Sequence, residues 1–526
     1  MKVLVSDKLG DAGLEIFRAE EGIELDVKTG LAPDELKAII GEYDGLVIRS
    51  ATKVTSEILD AATNLKVVGR AGIGLDNVDI PSATKHGVAV MNTPGGNTVT
   101  TAEHSIAMMM ALTRNIPRGT STLKGSLWEK KNLQGRELFN KVLGVIGFGN
   151  IGSIVASLAQ GLKMQVIIYD PAVTAEHIEK QGFESVSLEE LYKRADYITI
   201  HVPKIESTTH LLNKETFGMM KDGVMVINCA RGGIIQEQDL YDAIVSGKVA
   251  GAALDVFEVE PPVDNPLLTL DQVIATPHLG ASTQEAQTNV AVAVANQIIS
   301  YLKHDTIINA VNVPSVTGEL LKKLQPFLYL SEKIGAMHAT MAKGPIKEIS
   351  VEYAGNFLDL DLKPVTLAAV KGILSPMVPD EVNSVNATSL AGDMGIKISE
   401  IASQESAHYI NLIRIRVVYE NETNLISGTI FGKDDARIIR INKFRLEVIP
   451  EGHLSLIHNK DVPGAIGSIG TCLGENNINI SRMMVGREDD GDRNIIFIRT
   501  DTPVPEDVCQ EISALDKVLS IINFKL

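Results

Sequence analysis

The sequence predicts a multidomain α/β chain that passes into α+β structure, on three observations. Short β-branched runs alternate with amphipathic stretches over residues 1–98, the same rhythm restarts with greater regularity at 141, and residues 452–526 read strand, helix, strand, strand, helix, strand. At 526 residues, and roughly 100 to 200 residues per domain, the chain has room for three or four domains.

In the first stretch, "KVLVSD", "DGLVIRS" and "LKVVGRAG" are strand candidates, interleaved with the helical segments "GLEIFRAEE", "SEILDAA" and "IPSATKHG". This is the βαβ rhythm of a parallel sheet covered by helices. One long helical stretch follows, "TVTTAEHSIAMMMALTRNI", whose cluster Met108, Met109 and Met110 is expected in the core. From 141, "KVLGVIG", "QVIIYD", "YITIHVP", "VMVINCA", "AGAALDV" and "QVIATPH" are six strand candidates, the size of a dinucleotide-binding domain. The helix "QEAQTNVAVAVANQIISYLKHD" has no strand of its own, and an extended exit follows at 309–316. That helix is expected to pack back on the first domain, so that residues 1–98 plus 284–312 form one discontinuous domain around an insert at 99–283. Residues 317–450 change to long helices followed by the strand runs "IKEISVEYAG", "LIRIRVVYE", "LISGTIFG" and "RIIRINKFRLEVIP", an α+β domain. The closing βαββαβ order at 452–526 is that of a ferredoxin-like unit.

Composition excludes several classes. A net charge of −17, with no basic run to offset it, repels a phosphate backbone, so nucleic acid is not an expected partner. Cys229, Cys472 and Cys509 are odd in number and widely spaced, which argues against disulfides or zinc and suits a reducing cytoplasm. His338, His408 and His453 lack ligand spacing, and no metal is expected. The N-terminus has no apolar signal region, and the longest apolar run, "IAMMMAL", is too short to cross a bilayer. The expectation is a soluble, untargeted protein with no membrane partner.

"GVIGFGNIG" places Gly147, Gly149 and Gly152 in G-x-G-x-x-G spacing between a strand and a helix. The first glycine permits a tight turn, the second a close approach to pyrophosphate, and the third tight helix packing. Asp170 ends the next strand, where a carboxylate accepts hydrogen bonds from ribose hydroxyls and repels a 2′-phosphate. NAD is therefore expected rather than NADP.

Arg231, Glu260 and His278 follow the C-terminal ends of three successive strands, the edge where open α/β sheets bind ligands. Oxidation of an alcohol needs a base for the hydroxyl proton, a carboxylate to stabilise the protonated base, and a guanidinium for a substrate carboxylate. Each residue alone has an ordinary structural explanation. Together, in the cofactor domain, they form a catalytic set.

"GFGNIG", "HVP" (201–203), "INCARGG" (227–233), "DVFEVEP" (255–261) and "TPHLGAST" (276–283) resemble the D-isomer-specific 2-hydroxyacid dehydrogenases. The resemblance implies a Rossmann-type NAD domain inserted in a flavodoxin-like substrate domain, with Arg231, Glu260 and His278 catalytic. It also implies cofactor contacts from Asn150, Ile151, Asp170, Val202, Cys229, Ala230, Asp255 and Gly280, Cys229 through its backbone. Formate dehydrogenases of this fold carry Gln where this chain has Glu260, which disfavours that branch.

Arg49 and Ser50, the "RAGIG" stretch with Arg70, Gly72 and Gly74, and Asn97 follow strand ends and are expected to face the cleft. With Lys130 and Lys131 they carry more positive charge than one carboxylate requires, which suits a substrate with a second anion such as a phosphate. Beyond residue 316 the chain resembles the long branch of the family, with an intervening domain and a C-terminal ACT domain. That implies NAD-dependent oxidation of 3-phospho-D-glycerate to 3-phosphohydroxypyruvate, the first step of L-serine biosynthesis. It also implies a homo-oligomer, dimer or tetramer, in which Lys130 or Lys131 reaches the neighbour's site. Relatives can reduce 2-oxoglutarate as well. Competing readings are a glyoxylate- or lactate-type dehydrogenase and an NAD-sensing corepressor, against which the long tail and the βαββαβ pattern count. In the intervening domain, Lys433, Arg437 and Arg440 read either as an anion site or as a solvated basic face.

"IHNKDVPGAIGSIGTCLGENNINI" (457–480) lacks the Lys-Ser/Thr of a phosphate loop and has too few ligands for a metal. It reads as a strand-to-helix turn, with Pro463 and Gly464 opening the helix. By resemblance, Asn459 and Asp461 of one chain and Asn479 of another bind L-serine as an effector. The alternative is a turn that only folds the domain.

Overall fold

The computed structural model describes residues 1–304, 306–313, 318–356, 360–378, 382–403, 409–488 and 492–526. His408 and residues 314–316 of the expected exit lie outside them.

Five parallel strands, Lys2–Val5, Glu24–Val27, Gly45–Ile48, Val67–Arg70 and Ala89–Met91, form the first sheet in the order 2-1-3-4-5. The second, exposed or half-buried throughout, and the fifth, of three residues, were not among the runs read from the sequence. Gly45–Ile48 is buried along its whole length because helices cover both faces, which is why it reads as an unbroken apolar run. On one face lies the helix Gln284–His304, whose Val290, Val294 and Ile298 share a core with Val3, Val5, Val67 and Met91. Gly69 permits that approach, since a Cβ there would meet Val294 Cγ2 at 2.6 Å.

The second sheet has seven parallel strands in the order 3-2-1-4-5-6-7: Val142–Ile146, Gln165–Tyr169, Glu184–Ser185, Tyr197–Ile200, Val224–Asn228, Val249–Leu254 and Val273–Ala275. The reversal of order beside its first strand makes the crevice used by dinucleotide-binding folds. Glu184–Ser185, an edge strand of two residues, is an addition to the six expected. The long helix expected through residue 116 is broken. Thr98–Thr113 ends, Asn115 takes a left-handed φ of 52°, and a second helix runs Ile116–Lys124. Met108 and Met109 are buried, but Met110 faces outward at 41% exposure, so the methionine cluster is only partly core.

The third sheet, of order 2-1-3-4-5-6, contains one parallel pair, Ile346–Gly355 with Lys397–Ser403, and is otherwise antiparallel. Lys397–Ser403 was not foreseen, and "RIIRINKFRLEVIP" divides at Asn442, whose φ of 51° makes the turn between Asp435–Ile441 and Phe444–Val448. The last sheet is antiparallel in the order 2-3-1-4, with helices Ala465–Glu475 and Glu506–Ser513 packed against it. Leu454, Leu456, Ile495, Phe497 and Phe524 from this sheet join Leu330, Ile334 and Val448 in one core. The two C-terminal domains are thus fused by apolar packing rather than hinged. The third domain also touches the first, where Asn383 Nδ2 donates to the Gly87 carbonyl at 2.9 Å.

Among the described residues no helix is long and apolar enough to cross a membrane, and no group of three His, Cys, Asp or Glu side chains is placed to hold a metal.

Candidate active site

The glycine-rich turn has the shape a pyrophosphate requires. Gly147 sits at φ 97°, and a Cβ there would meet the His201 carbonyl oxygen at 2.6 Å, so only glycine fits. At Gly152 a Cβ would lie 1.9 Å from the Gly147 carbonyl oxygen, while at Gly149 it would meet nothing, leaving backbone exposed at the start of the helix Asn150–Gly161. The Asp170 carboxylate accepts from Phe148 N and Ala172 N, each at 2.7 Å. It therefore pins the turn, and each oxygen keeps a lone pair for a ribose hydroxyl. The residues present fit NAD. Cys229 is buried, and burial pushes its thiol up to about 12, so it is no nucleophile.

His278 and Glu260, distant in sequence, meet: His278 Nδ1 lies 2.8 Å from Glu260 Oε2. This bond holds the half-exposed imidazole's pKa above its ordinary value, against the opposing effect of burial. Desolvation is the largest effect on the Glu260 carboxyl and pushes it up, but the bond and charge of His278 together with the Phe257 N–H outweigh it and leave the group below the usual range. The turn carrying His278, which has φ 54°, is organised by Asp255. That buried carboxylate accepts from Thr276 Oγ1 at 2.6 Å, Leu279 N at 2.7 Å and Gly280 N at 2.8 Å, with His104 Nε2 at 3.3 Å. Burial would raise its pKa, yet these donors hold it low. Asp255 thus serves the loop that aims the imidazole.

Across the cleft, Arg231 and Arg70 approach each other. Arg231 Nη1 donates to the Ala230 carbonyl at 2.7 Å, and its Nε lies 3.3 Å from Asp76 Oδ2 of the first domain. Arg70 is pushed down to about 10, first by burial and next by the charge of Arg231, with Arg49 adding to it. Its Nε and Nη1 are buried without a hydrogen-bond partner, and so is Asn97 Oδ1. Buried donors of this kind are costly unless a ligand completes them. Gly74 stands against Arg231, where a Cβ would lie 2.0 Å from Nη2. Lys130 and Lys131 lie on the exposed turn Lys130–Asn132, and among the described residues no hydrogen bond or ion pair ties them to the arginines.

Sequence reasoning missed Asp7, Asp76 and Asn77. Asp7 lies two residues past the first strand; its Oδ2 accepts from Arg49 N at 2.6 Å and Thr52 N at 3.1 Å, and its Oδ1 from Thr52 Oγ1 at 2.9 Å. Asn77 Nδ2 donates to the Arg49 carbonyl at 2.7 Å. For Asp7 the position just past a strand end was the available signal; Asp76 and Asn77 lie farther along the loop after Arg70.

The chain is similar to known families over most of its length. Residues 106–280 match the D-isomer specific 2-hydroxyacid dehydrogenase NAD binding domain, residues 323–442 the D-3-phosphoglycerate dehydrogenase intervening domain, and residues 454–517 the ACT domain. The D-3-phosphoglycerate dehydrogenase of Archaeoglobus fulgidus is 42% identical over 100% of both chains. The chain belongs to the D-3-phosphoglycerate dehydrogenase family. It is accordingly an NAD-dependent oxidoreductase with an ACT domain. The enzyme of that name from Bacillus subtilis is also 42% identical, over 99% of this chain and 98% of its own. Among solved structures, D-lactate dehydrogenase from Aquifex aeolicus complexed with NAD and lactic acid is 29% identical with a TM-score of 0.55, covering 60% of this chain and 100% of its own. A glyoxylate reductase structure is 27% identical with a TM-score of 0.55, covering 59% of this chain and 98% of its own.

In the ACT domain, Asn459 and Asp461 lie at one end of the sheet and Asn479 at the other, since His453 and Ile480 pair with Thr500 while Asn459 pairs with Asn494. Asp461 is held by Arg487 and by Asn494 Nδ2 at 3.1 Å, and Asn479 Nδ2 donates to Asp501 at 2.7 Å. One chain does not bring the three together. Asn459 Oδ1 and Asn494 Oδ1 are buried without a partner. Lys433, Arg437 and Arg440 do not converge through a shared partner: Arg437 pairs with Asp435, and Arg440 Nε donates to the Asn442 carbonyl at 2.7 Å.

Proposed function

We propose that this chain oxidises 3-phospho-D-glycerate to 3-phosphohydroxypyruvate with NAD, as the first step of L-serine synthesis. The observation that carries the substrate assignment is the buried Arg70 guanidinium, with two nitrogens unpartnered, beside the charges of Arg49 and Arg231. A single carboxylate satisfies one guanidinium fork, and a phosphate answers the rest. In this reading Arg231 takes the substrate carboxylate, and Arg70 with Arg49 the phosphate. Neutral His278 accepts the hydroxyl proton at Nε2 while Glu260 stabilises the imidazolium through Nδ1. NAD, when bound, supplies the acceptor for the hydride. Substituting Arg70→Lys tests the assignment. KM for 3-phosphoglycerate should rise far more than KM for D-glycerate, and an equal rise would overturn it.

The ACT domain is proposed to bind L-serine between two chains, Asn459 and Asp461 from one and Asn479 from the other. The separation of these residues within one chain supports a site shared by two. Homo-oligomerisation is further supported by the exposed Ile116, Leu123, Leu127, Trp128 and Phe139, which cluster in sequence beside Lys130 and Lys131. Three free, buried cysteines suit a reducing cytoplasm. Serine titration of wild type, Asp461→Ala and Asn479→Ala is the test. Inhibition retained in both variants would remove the site.

A further inference from the structure

Arg231 has five N–H donors in a planar fork, and its use by the chain is asymmetric. Nη1 is committed to the Ala230 carbonyl at 2.7 Å, so the Nε/Nη2 edge is the fork left for a bidentate carboxylate. Asp76 of the opposite domain stands on that edge, with Oδ2 3.3 Å from Nε. Gly74 makes the place: a Cβ there would lie 2.0 Å from Arg231 Nη2 and 2.9 Å from Asp76 Oδ2. The Asp76 carboxylate and a substrate carboxylate therefore require the same donors.

We propose that Asp76 is a positioning residue that competes with the substrate carboxylate for Arg231 and yields the guanidinium when substrate enters. This rests on the reading that Arg231 receives the carboxylate. Competition has two consequences. It keeps Arg231 aligned and partly neutralised beside Arg70, two cations that otherwise repel across the cleft. It also weakens binding of every carboxylate ligand, because each must displace an internal anion first. Asp76 is 66% exposed and Arg231 29%, so the pair is solvent-screened and the penalty is modest.

The test uses full-length Asp76→Asn and Asp76→Glu, with Asp76→Ser should the amide fold poorly, and NADH affinity as the check on integrity. Removing the charge should lower KM for 3-phosphoglycerate about two- to fivefold, the range of an exposed ion pair. It should tighten oxamate, an unreactive isostere of a 2-oxo acid, by a similar factor in the NADH complex. The change should lie in KM rather than kcat, shrink at high salt, and be absent in Asp76→Glu. A residue with a merely structural role would raise KM or leave it unmoved, and either result overturns the proposal. Arg231→Lys separates the two layers. If it raises KM while Asp76→Asn fails to lower it, the competition is wrong and the carboxylate assignment stands. If Arg231→Lys leaves KM unmoved, the assignment itself fails.

Discussion

Substituting Glu260→Gln keeps the shape of the carboxylate and removes its charge, and the outcome can be worked from the His278–Glu260 geometry. The partners are 2.8 Å apart, with 49% and 38% of their side chains exposed. A hydrogen bond between charged groups contributes about 1.5–3 kcal/mol, and half-exposure reduces this to about 1–2 kcal/mol. Because the imidazolium forms as the hydroxyl proton is taken, that amount leaves the transition state and kcat falls about 5- to 30-fold. The same bond is what raises the His278 pKa. Alcohol oxidation requires the neutral base, so the wild-type rate rises as pH passes upward through this raised pKa. Losing the carboxylate lowers the pKa, and the acid limb of the kcat profile moves to lower pH. The assay is initial-rate NADH formation across pH at saturating substrates. An acid limb that stays in place, or moves upward, would refute the pairing as the source of the base's properties.

Three further outcomes follow from the same geometry. Gly152→Ala puts a Cβ on the Gly147 carbonyl and should weaken NAD about 5- to 150-fold with the fold intact, measured by NADH fluorescence titration. Asp7→Ala strips the acceptor from Arg49 N and Thr52 N, which should cost about 1–3 kcal/mol in denaturant unfolding and raise KM through the displaced Arg49 loop. Cys229, buried with its thiol held protonated, should resist iodoacetamide at neutral pH under conditions that leave activity unchanged, as mass spectrometry of the peptide would report.

The parts of the fold legible in the sequence are those with strong local signals. The Gly147–Gly152 turn is one, because the φ of Gly147 and the close contacts at Gly147 and Gly152 select glycine at both positions. The longer buried parallel strands are another, since covering both faces forces unbroken apolar runs, whereas the equally buried Ala89–Met91 is too short to show one. Weak or tertiary signals were illegible. Lys397–Ser403 has an intermediate-to-exposed burial pattern and pairs as an edge strand, so it shows no apolar run. The break at Asn115 depends on one left-handed residue inside a helical pattern. The triad's residue types and strand-end positions were readable, and the Arg70–Arg231 approach was not, because it joins two domains. Asp7 and Asp76 look like surface charges in sequence. Only their partners, backbone amides for one and a guanidinium for the other, give them roles.

The measurement closest to the central claim is the ratio of kcat/KM for 3-phospho-D-glycerate to that for D-glycerate, with NAD, in the wild-type protein. A phosphate engaged by Arg70 and Arg49 through charge-assisted bonds of about 1.5–3 kcal/mol each predicts a preference of at least 10-fold, collapsing in Arg70→Lys. Equal efficiency for the two acids, or turnover of neither, would contradict the account.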